Sequence, residues 1–381
     1  MAHNIAILGG GVGGTLLANL LRRDLPRADA QITIIDTTGQ HVYQPGWLYV
    51  PFGEEDPKHL VKPERRLLRA GIDLRIGQAR HIDTAARTVT LVGGDVLPFD
   101  TLVLCTGAVL APEAVPGFSE GAQHFYSEEA ALCLQAALEG FEGGKLVVGV
   151  ADIPYKCPPA PLEFVLKLED YLTKRGVRDK TQITYLSPIN RVFTIESVSE
   201  FVTPILEQRG IAVELFFNTE SIDPVKKKKI TSMEGTTIDY DLLVLVPPHR
   251  GASVIRDSGL GDELGWIPTD RHTLEVAGQD GIYALGDATD VPVSKSGSAA
   301  HFQAKVLAQR IAHRVQPAKH AADSRYDGKV LCFLETGHGK ASQIVFDFEH
   351  PPTPPAPNTF YHYEKLLFNK VYWYIVPRGI V

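Results

Sequence analysis

Cys157 follows an apolar strand signal over residues 146–150 and lies among Pro154, Pro158, Pro159 and Pro161, with Glu163 six residues further on. In a strand–turn–helix unit this turn is where a pyrophosphate is held by consecutive backbone N–H groups and a helix N-terminus, and proline has no N–H to give. The residue types therefore point to sulfur chemistry rather than NADH binding. Lys156 precedes Cys157, and its charge would favour the thiolate. Cys332 is the second candidate, because it precedes Phe-Leu-Glu-Thr and then Gly337-His-Gly339, a turn expected to approach a cofactor closely. Cys105, at the end of an apolar strand, and Cys133, in a helical pattern over 128–138, are expected to pack as small hydrophobes. No C-x-x-C pair occurs, which disfavours metal clusters and thioredoxin-like exchange. Glu163 falls near the start of a helix expected over 162–174, opened by Pro161. It is a candidate proton handler beside Cys157, or else a carboxylate that favours the helix dipole.

The elements that must position these groups begin at the N-terminus. Ile5-Ala-Ile-Leu runs into Gly9-Gly-Gly11-Val-Gly13-Gly14 and then an apolar helix pattern. Gly9 allows the turn, Gly11 lets a pyrophosphate approach, Gly14 lets helix and strand pack, and Asp36 ends the next strand where it can accept from a ribose hydroxyl. That unit binds a dinucleotide without distinguishing FAD from NAD. Far downstream, an apolar strand delivers Gly286-Asp287 at its carboxyl end, the crevice side of an open α/β sheet. With Thr106-Gly107 after the strand over 101–105, this resembles the two-dinucleotide-domain flavoproteins, in which the second aspartate meets the flavin ribityl chain. FAD is the cofactor that resemblance implies.

Residues 87–104 and 229–245 share one pattern of strand, glycine turn, strand, acidic residue and apolar strand, so one fold occurs twice. The second copy keeps strands over 146–150 and 182–186 but has Ser187 and Pro188 where a ribose-binding carboxylate would stand. The fold class is α/β, with two tandem Rossmann-like dinucleotide-binding domains and a C-terminal amphipathic helical segment. The expected divisions are 1–112 and 265–328 for the FAD-binding domain, 113–264 for the second Rossmann-like domain, and 329–381 for the C-terminal region.

With 381 residues, 44% hydrophobic, and a net charge of −7, the chain can bury two ordinary cores. Nucleic acid is not an expected partner, because the one basic run, 226–229, is expected on a strand edge where lysines discourage pairing. The sequence opens directly on the first strand, so no signal peptide is expected, and nothing approaches the length of a transmembrane helix. After the proline-rich stretch 351–357, expected to isolate it from the core, comes a helix with an apolar stripe of Phe360, Tyr363, Leu367, Val371 and Tyr374. Leu366, Phe368, Trp373 and Ile375 broaden the stripe, with Lys365 and Asn369 behind. Such a helix suits one-sided contact with a membrane surface; the other reading is packing on its own protein or in a subunit interface.

Taken in order, the first glycine turn, Val42-Tyr-Gln44-Pro45, Cys157 with Glu163, Gly286-Asp287, Lys295-Ser-Gly297, Cys332-Phe and Lys365-Leu-Leu-Phe368 resemble the sulfide:quinone oxidoreductases, with the flavocytochrome c sulfide dehydrogenase flavin subunit as a near relative. The likeness covers nearly the whole chain. It implies FAD held by these glycines with Asp36, Gln44, Pro45, Thr106, Gly107, Gly286, Asp287, Lys295 and Gly297. It also implies a redox-active Cys157/Cys332 pair on one flavin face, and quinone on the other beside Lys365 and Phe368. Hydrosulfide would open a disulfide or sulfur-bridged form of the pair, Cys332 lying nearest the flavin and Cys157 carrying the sulfur chain. Lys365 would neutralise charge on flavin or quinol. The implied protein is a peripheral membrane enzyme and a homo-oligomer. Many members have a third cysteine near Tyr126 and histidines near Ala130 and Val192, and this chain has neither; His41, His301 and His338 read as structural or solvated. The rival readings are a flavocytochrome-type dehydrogenase, an NADH:quinone reductase, opposed by the prolines around Cys157, and a non-enzymatic flavin-binding protein.

Overall fold

The computed structural model describes residues 2–224, 228–321 and 323–380. Its first sheet is wholly parallel, in the order Ile282–Ala284, Thr101–Leu104, His3–Leu8, Ala30–Asp36, Ile72–Ile76. The central strands read as apolar runs because both faces are covered, one by helices and the other by Ala79, Ile82, Val89 and Leu91, and a parallel sheet is stable only when buried. The helices Val12–Asp24 and Gly297–Val315 pack on the sheet and on each other through Leu16, Leu17, Leu21, Leu307 and Ile311, all fully buried. The late strand Ile282–Ala284 thus completes a sheet begun at the N-terminus, and places Gly286 and Asp287 at the same end as the glycine turn.

A second parallel sheet has the order Ile211–Glu214, Thr181–Leu186, Gly144–Val150, Leu242–Val246. Each sheet carries a small antiparallel one: Ala79–Asp83, Thr88–Leu91 and Val96–Pro98 beside the first, Thr219–Asp223, Lys229–Ser232 and Thr237–Asp239 beside the second. This is the repeat seen in the sequence. The basic run is placed otherwise than expected: Lys229–Ser232 is the central strand of its sheet, and Lys229 pairs with Asp239 at 3.3 Å. Lys226 and Lys227 lie outside the described residues.

The C-terminal region is a hairpin, Val330–Gly337 with Lys340–Phe346, followed by the helix Thr359–Ile375. The proline stretch does not isolate this helix. Tyr372, Trp373 and Val376 belong to the main core, and Leu366 and Ile375 pack against it. Three hydrogen bonds fasten the same face to the first domain: His41 Nε2 with Tyr372 Oη (2.8 Å), Tyr43 Oη to Asn369 Oδ1 (2.5 Å) and Asn19 Nδ2 to the Pro377 carbonyl (2.7 Å). The outer face is apolar and open. Phe360, Tyr363, Leu367 and Tyr374 are 61–69% exposed. Among the described residues, no helix is long and apolar enough to cross a membrane.

Candidate active site

The glycine turn is built by close approach. A Cβ at Gly9 would lie 2.3 Å from the Cys105 carbonyl oxygen, one at Gly14 would lie 2.0 Å from the Gly9 carbonyl oxygen, and one at Gly13 would meet Leu285 at 2.2 Å. At Gly11 and Gly107 a Cβ would meet nothing, so these two backbones face open space. Asp36 accepts from the N–H groups of Gly10 (2.9 Å) and Gly39 (2.7 Å), which fixes its carboxylate at the rim of a crevice of about 660 Å³. Thr106, Gln78 and Arg250 line the same crevice, and the Thr106 hydroxyl is buried with no partner. The helix starting at Gly297 opens beside Val12, so two helix N-termini converge, neither with an acidic residue in its first turn. A polar orphan, open glycine backbones and two positive helix ends fit a pyrophosphate-containing dinucleotide such as FAD. Gln78 and Arg250 escaped the sequence reading because neither sits in a motif.

The remaining cofactor candidates lie outside the lining of that crevice. Gln44, with Pro45 in the single-turn helix Gln44–Leu48, accepts from Lys156 Nζ at 3.0 Å. Gly286 donates its N–H to Gln303 (2.6 Å). Burial pushes the Asp287 carboxyl up, against the opposing charges of Lys156 and Lys295. The Lys295 ammonium is already committed: it bonds the Asp287 and Thr289 carbonyls (2.9 and 2.7 Å) and lies 3.8 Å from the Trp266 ring centroid. Burial lowers it to about 8. Lys295 therefore shapes the loop that presents Asp287.

Cys157 and Cys332, both partly exposed, come close enough for the charge of Cys332 to act on Cys157. The Cys157 N–H donates to the Lys295 carbonyl (2.7 Å), while the Ser296 hydroxyl bonds the Cys332 side chain and the Ser298 hydroxyl accepts from the Leu331 N–H (2.9 Å). One short segment, 295–298, thus seats both thiols. Cys157 takes a left-handed conformation, φ 53°, which non-glycine residues adopt at a cost. Both cysteines are free. Lys156 does not make Cys157 a thiolate: burial, then the charges of Glu163 and Cys332, push the thiol up. Burial and the Glu163 charge likewise push Cys332 up to about 12.

Glu163 stands in the first turn of the helix Ala160–Lys174, as expected, yet its principal partner is Lys365, 202 residues away. The Glu163 carboxylate accepts from Lys365 Nζ and from the Glu335 N–H at 2.7 Å. Burial pushes Glu163 up against the pull of Lys365; burial would lower Lys365, but Glu163, Tyr49 and Glu335 raise it. Lys365 is therefore an internal counter-ion, and its neighbour Phe368, 36% exposed, forms the rim at the helix surface.

Two sequence expectations fail here. The Gly337-His-Gly339 turn docks on the second half of the Ala160–Lys174 helix, a Cβ at Gly337 lying 2.7 Å from the Leu166 carbonyl and the His338 N–H bonding Asp170 (2.9 Å). A tight hairpin turn with three left-handed residues points away from its strands, so it cannot face a cofactor beside Cys332. Cys133 is exposed, because its helix, Glu128–Glu139, buries the face of Ala131, Leu134 and Leu138. His41 is structural as expected, buried between Glu64 and Tyr372.

The turn after the strand Gly144–Val150 is occupied by a side chain of this protein. Tyr155 fills it, packed on Val150, Val246 and Tyr126, and the Ala160 and Glu163 N–H groups are spent on the Cys157 and Pro159 carbonyls. The fold and site define a flavin-type α/β oxidoreductase, and the chain belongs to the pyridine nucleotide-disulphide oxidoreductase family, which matches residues 3–322. It is 27% identical to the mitochondrial sulfide:quinone oxidoreductase of Dictyostelium discoideum and 24% identical to that of Mus musculus, over 98% and 99% of this chain and 86% and 87% of theirs. The X-ray structure of the Aquifex aeolicus sulfide:quinone oxidoreductase superposes with a TM-score of 0.87 at 23% identity, covering 99% of this chain and 92% of that one. NDH2 from Plasmodium falciparum in complex with NADH superposes at 0.71 and 12% identity, over 99% of this chain and 100% of that one.

Proposed function

We infer that this chain oxidises sulfide and passes the electron pair to a quinone. The observation that carries the reading is that the 295–298 segment holds Cys157 and Cys332 near one another, at the turn where the second domain would otherwise cradle NADH. With the pair as a disulfide, hydrosulfide attacks one sulfur; a new S–S bond forms, the Cys–Cys bond breaks, and one cysteine is left a persulfide and the other a thiolate. FAD, bound in the crevice, supplies the two-electron acceptor between sulfur and quinone. The chain's residues do the rest. Glu163 takes the proton that hydrosulfide leaves on the persulfide, Lys365 keeps the carboxylate charge compensated, and segment 295–298 holds both sulfurs in register. Quinone enters beside Phe368 from the apolar face of the C-terminal helix. Purified protein is expected to be yellow and to bleach rapidly with sulfide but not with NADH. Comparable bleaching by NADH sinks this reading in favour of an NADH:quinone reductase.

The exposed stripe of Phe360, Tyr363, Leu367 and Tyr374 lies flat on a lipid surface, with Lys62, Lys370 and Arg378 around it for anionic headgroups. Lys62 Nζ lies 4.7 Å from the Trp373 ring centroid and 5.5 Å from that of Tyr374. Changing the four apolar residues to serine removes buried area from the membrane contact only, so vesicle partitioning is expected to fall at least about 100-fold with the melting temperature unchanged. Retention of vesicle binding by that variant, measured by co-sedimentation, assigns the stripe to another role.

A further inference from the structure

The thiol site poses a proton problem. Glu163 and Lys365 are shut away from water, at 3% and 6% exposure, while the two cysteines beside them are only partly covered. Under the sulfide reading, each catalytic cycle must shed the persulfide's proton, and once Glu163 has taken it the proton must leave a carboxyl group bonded to an ammonium. Next to that pair lies Glu335, itself 1% exposed and outside the expected machinery. Its N–H holds Glu163, its carboxylate lies close enough to raise the Lys365 ammonium, and the Tyr49 hydroxyl stands 3.4 Å from Oε1. On the far side, both Glu335 oxygens face His362 Nδ1, at 3.0 and 3.1 Å. The His362 side chain is 19% exposed, and among the described residues nothing bonds its other ring nitrogen.

We propose that Glu335 and His362 form the proton exit of the thiol site, linking the Glu163–Lys365 pair to solvent. The proton that leaves the persulfide goes to Glu163, and the Glu335–His362 pair returns one proton to water for each taken up, so no charge accumulates beside the cysteines. Histidine suits the outer position because its ring can take a proton at one nitrogen and release one from the other. The groups facing the pair are few. Tyr49 comes from the turn near Gln44, Lys365 and Tyr363 from the C-terminal helix, and Lys167 from the helix of Glu163, the last lying 5.0 Å from the Tyr49 ring centroid and neutralised by Glu54 at 2.7 Å. Lys365, though paired with Glu163, also feels the charge of Glu335.

The inference rests on the sulfide:quinone reading, and the test separates the two. Full-length FAD-loaded protein is assayed for sulfide-dependent reduction of a soluble quinone across pH, as wild type, H362A, H362Q and E335Q. His362 and Glu335 are positioning residues, so the decisive readouts are chemical rescue and pH profile alongside FAD content and melting temperature. Each variant is expected to turn over at least about tenfold more slowly, with added imidazole restoring H362A. H362Q keeps a donor toward Glu335 but cannot relay a proton, so it is expected to be slow with FAD content and melting temperature unchanged. Wild-type rates for H362A or H362Q at all pH values, or a slow H362A that imidazole leaves slow, overturn the exit while sparing the sulfide reading. If H362A fails to fold, the rate of H362Q decides alone. A wild type inert to sulfide overturns both.

Discussion

Cys332→Ser is expected to abolish sulfide-driven flavin bleaching, by at least about 1,000-fold, while the protein still purifies with FAD. The crevice that would hold the cofactor is made by Gly9, Gly11, Asp36 and Thr106, none of which touches the hairpin bearing Cys332. Cys157→Ser should be equally severe, and the double variant no worse, because exchange needs two sulfurs acting as a unit. The remaining cysteines serve as controls with distinct expectations. Cys133 is exposed, so Cys133→Ser changes stability by less than about 0.5 kcal/mol. Cys105 is nearly enclosed, and its carbonyl packs against Gly9, so Cys105→Ser destabilises modestly without touching the chemistry. Stopped-flow bleaching with parallel FAD quantification checks all four, and normal turnover by Cys332→Ser removes the two-thiol mechanism outright.

Lys365→Met is expected to destabilise the protein by about 3–5 kcal/mol near neutral pH, because it leaves the Glu163 charge buried and uncompensated. The pH dependence has a definite sign. In the variant, burial still raises Glu163 and the opposing pull of Lys365 is gone. A carboxyl whose folded pKa exceeds its unfolded one contributes stability below the unfolded pKa and loses it as pH rises through the folded one. The deficit should therefore shrink toward acid and grow toward neutrality. The wild type behaves differently, since Lys365 is raised above its ordinary 10.5 and its contribution persists through neutral pH, to be lost only in strong alkali. Glu163→Gln combined with Lys365→Met should recover much of the loss, since no buried charge then remains. Denaturation midpoints of the four proteins of this cycle, measured with FAD present, decide it. A deficit that ignores pH, or a double variant no better than Lys365→Met alone, refutes the counter-ion role.

The features legible in the sequence are those whose physics is local. A glycine turn between an apolar strand and an apolar helix, an acidic residue at the next strand end, a strand pattern repeated after glycine turns, and prolines that withhold N–H groups all act through neighbours along the chain. The folded protein keeps each of them: Gly14 against the Gly9 carbonyl, Asp36 on the Gly10 N–H, and Cys157 at the close of its strand. Family resemblance added the pairing of Cys157 with Cys332, which spacing alone does not contain. The thiol site's electrostatics depended on contacts between distant segments. Glu163 finds Lys365 202 residues on and the Glu335 N–H 172 residues on, and no periodicity encodes either meeting. The C-terminal helix shows why. Its outward stripe was read as its chief feature, while the inward row of His362, Lys365, Asn369, Tyr372 and Val376 mixes polar and apolar residues and carries no pattern until the partners are in place. Lys156 taught the same lesson in reverse: adjacent to Cys157 in the chain, it gives its ammonium to Gln44, because burial and the reach of a side chain, rather than sequence distance, decide which charges meet.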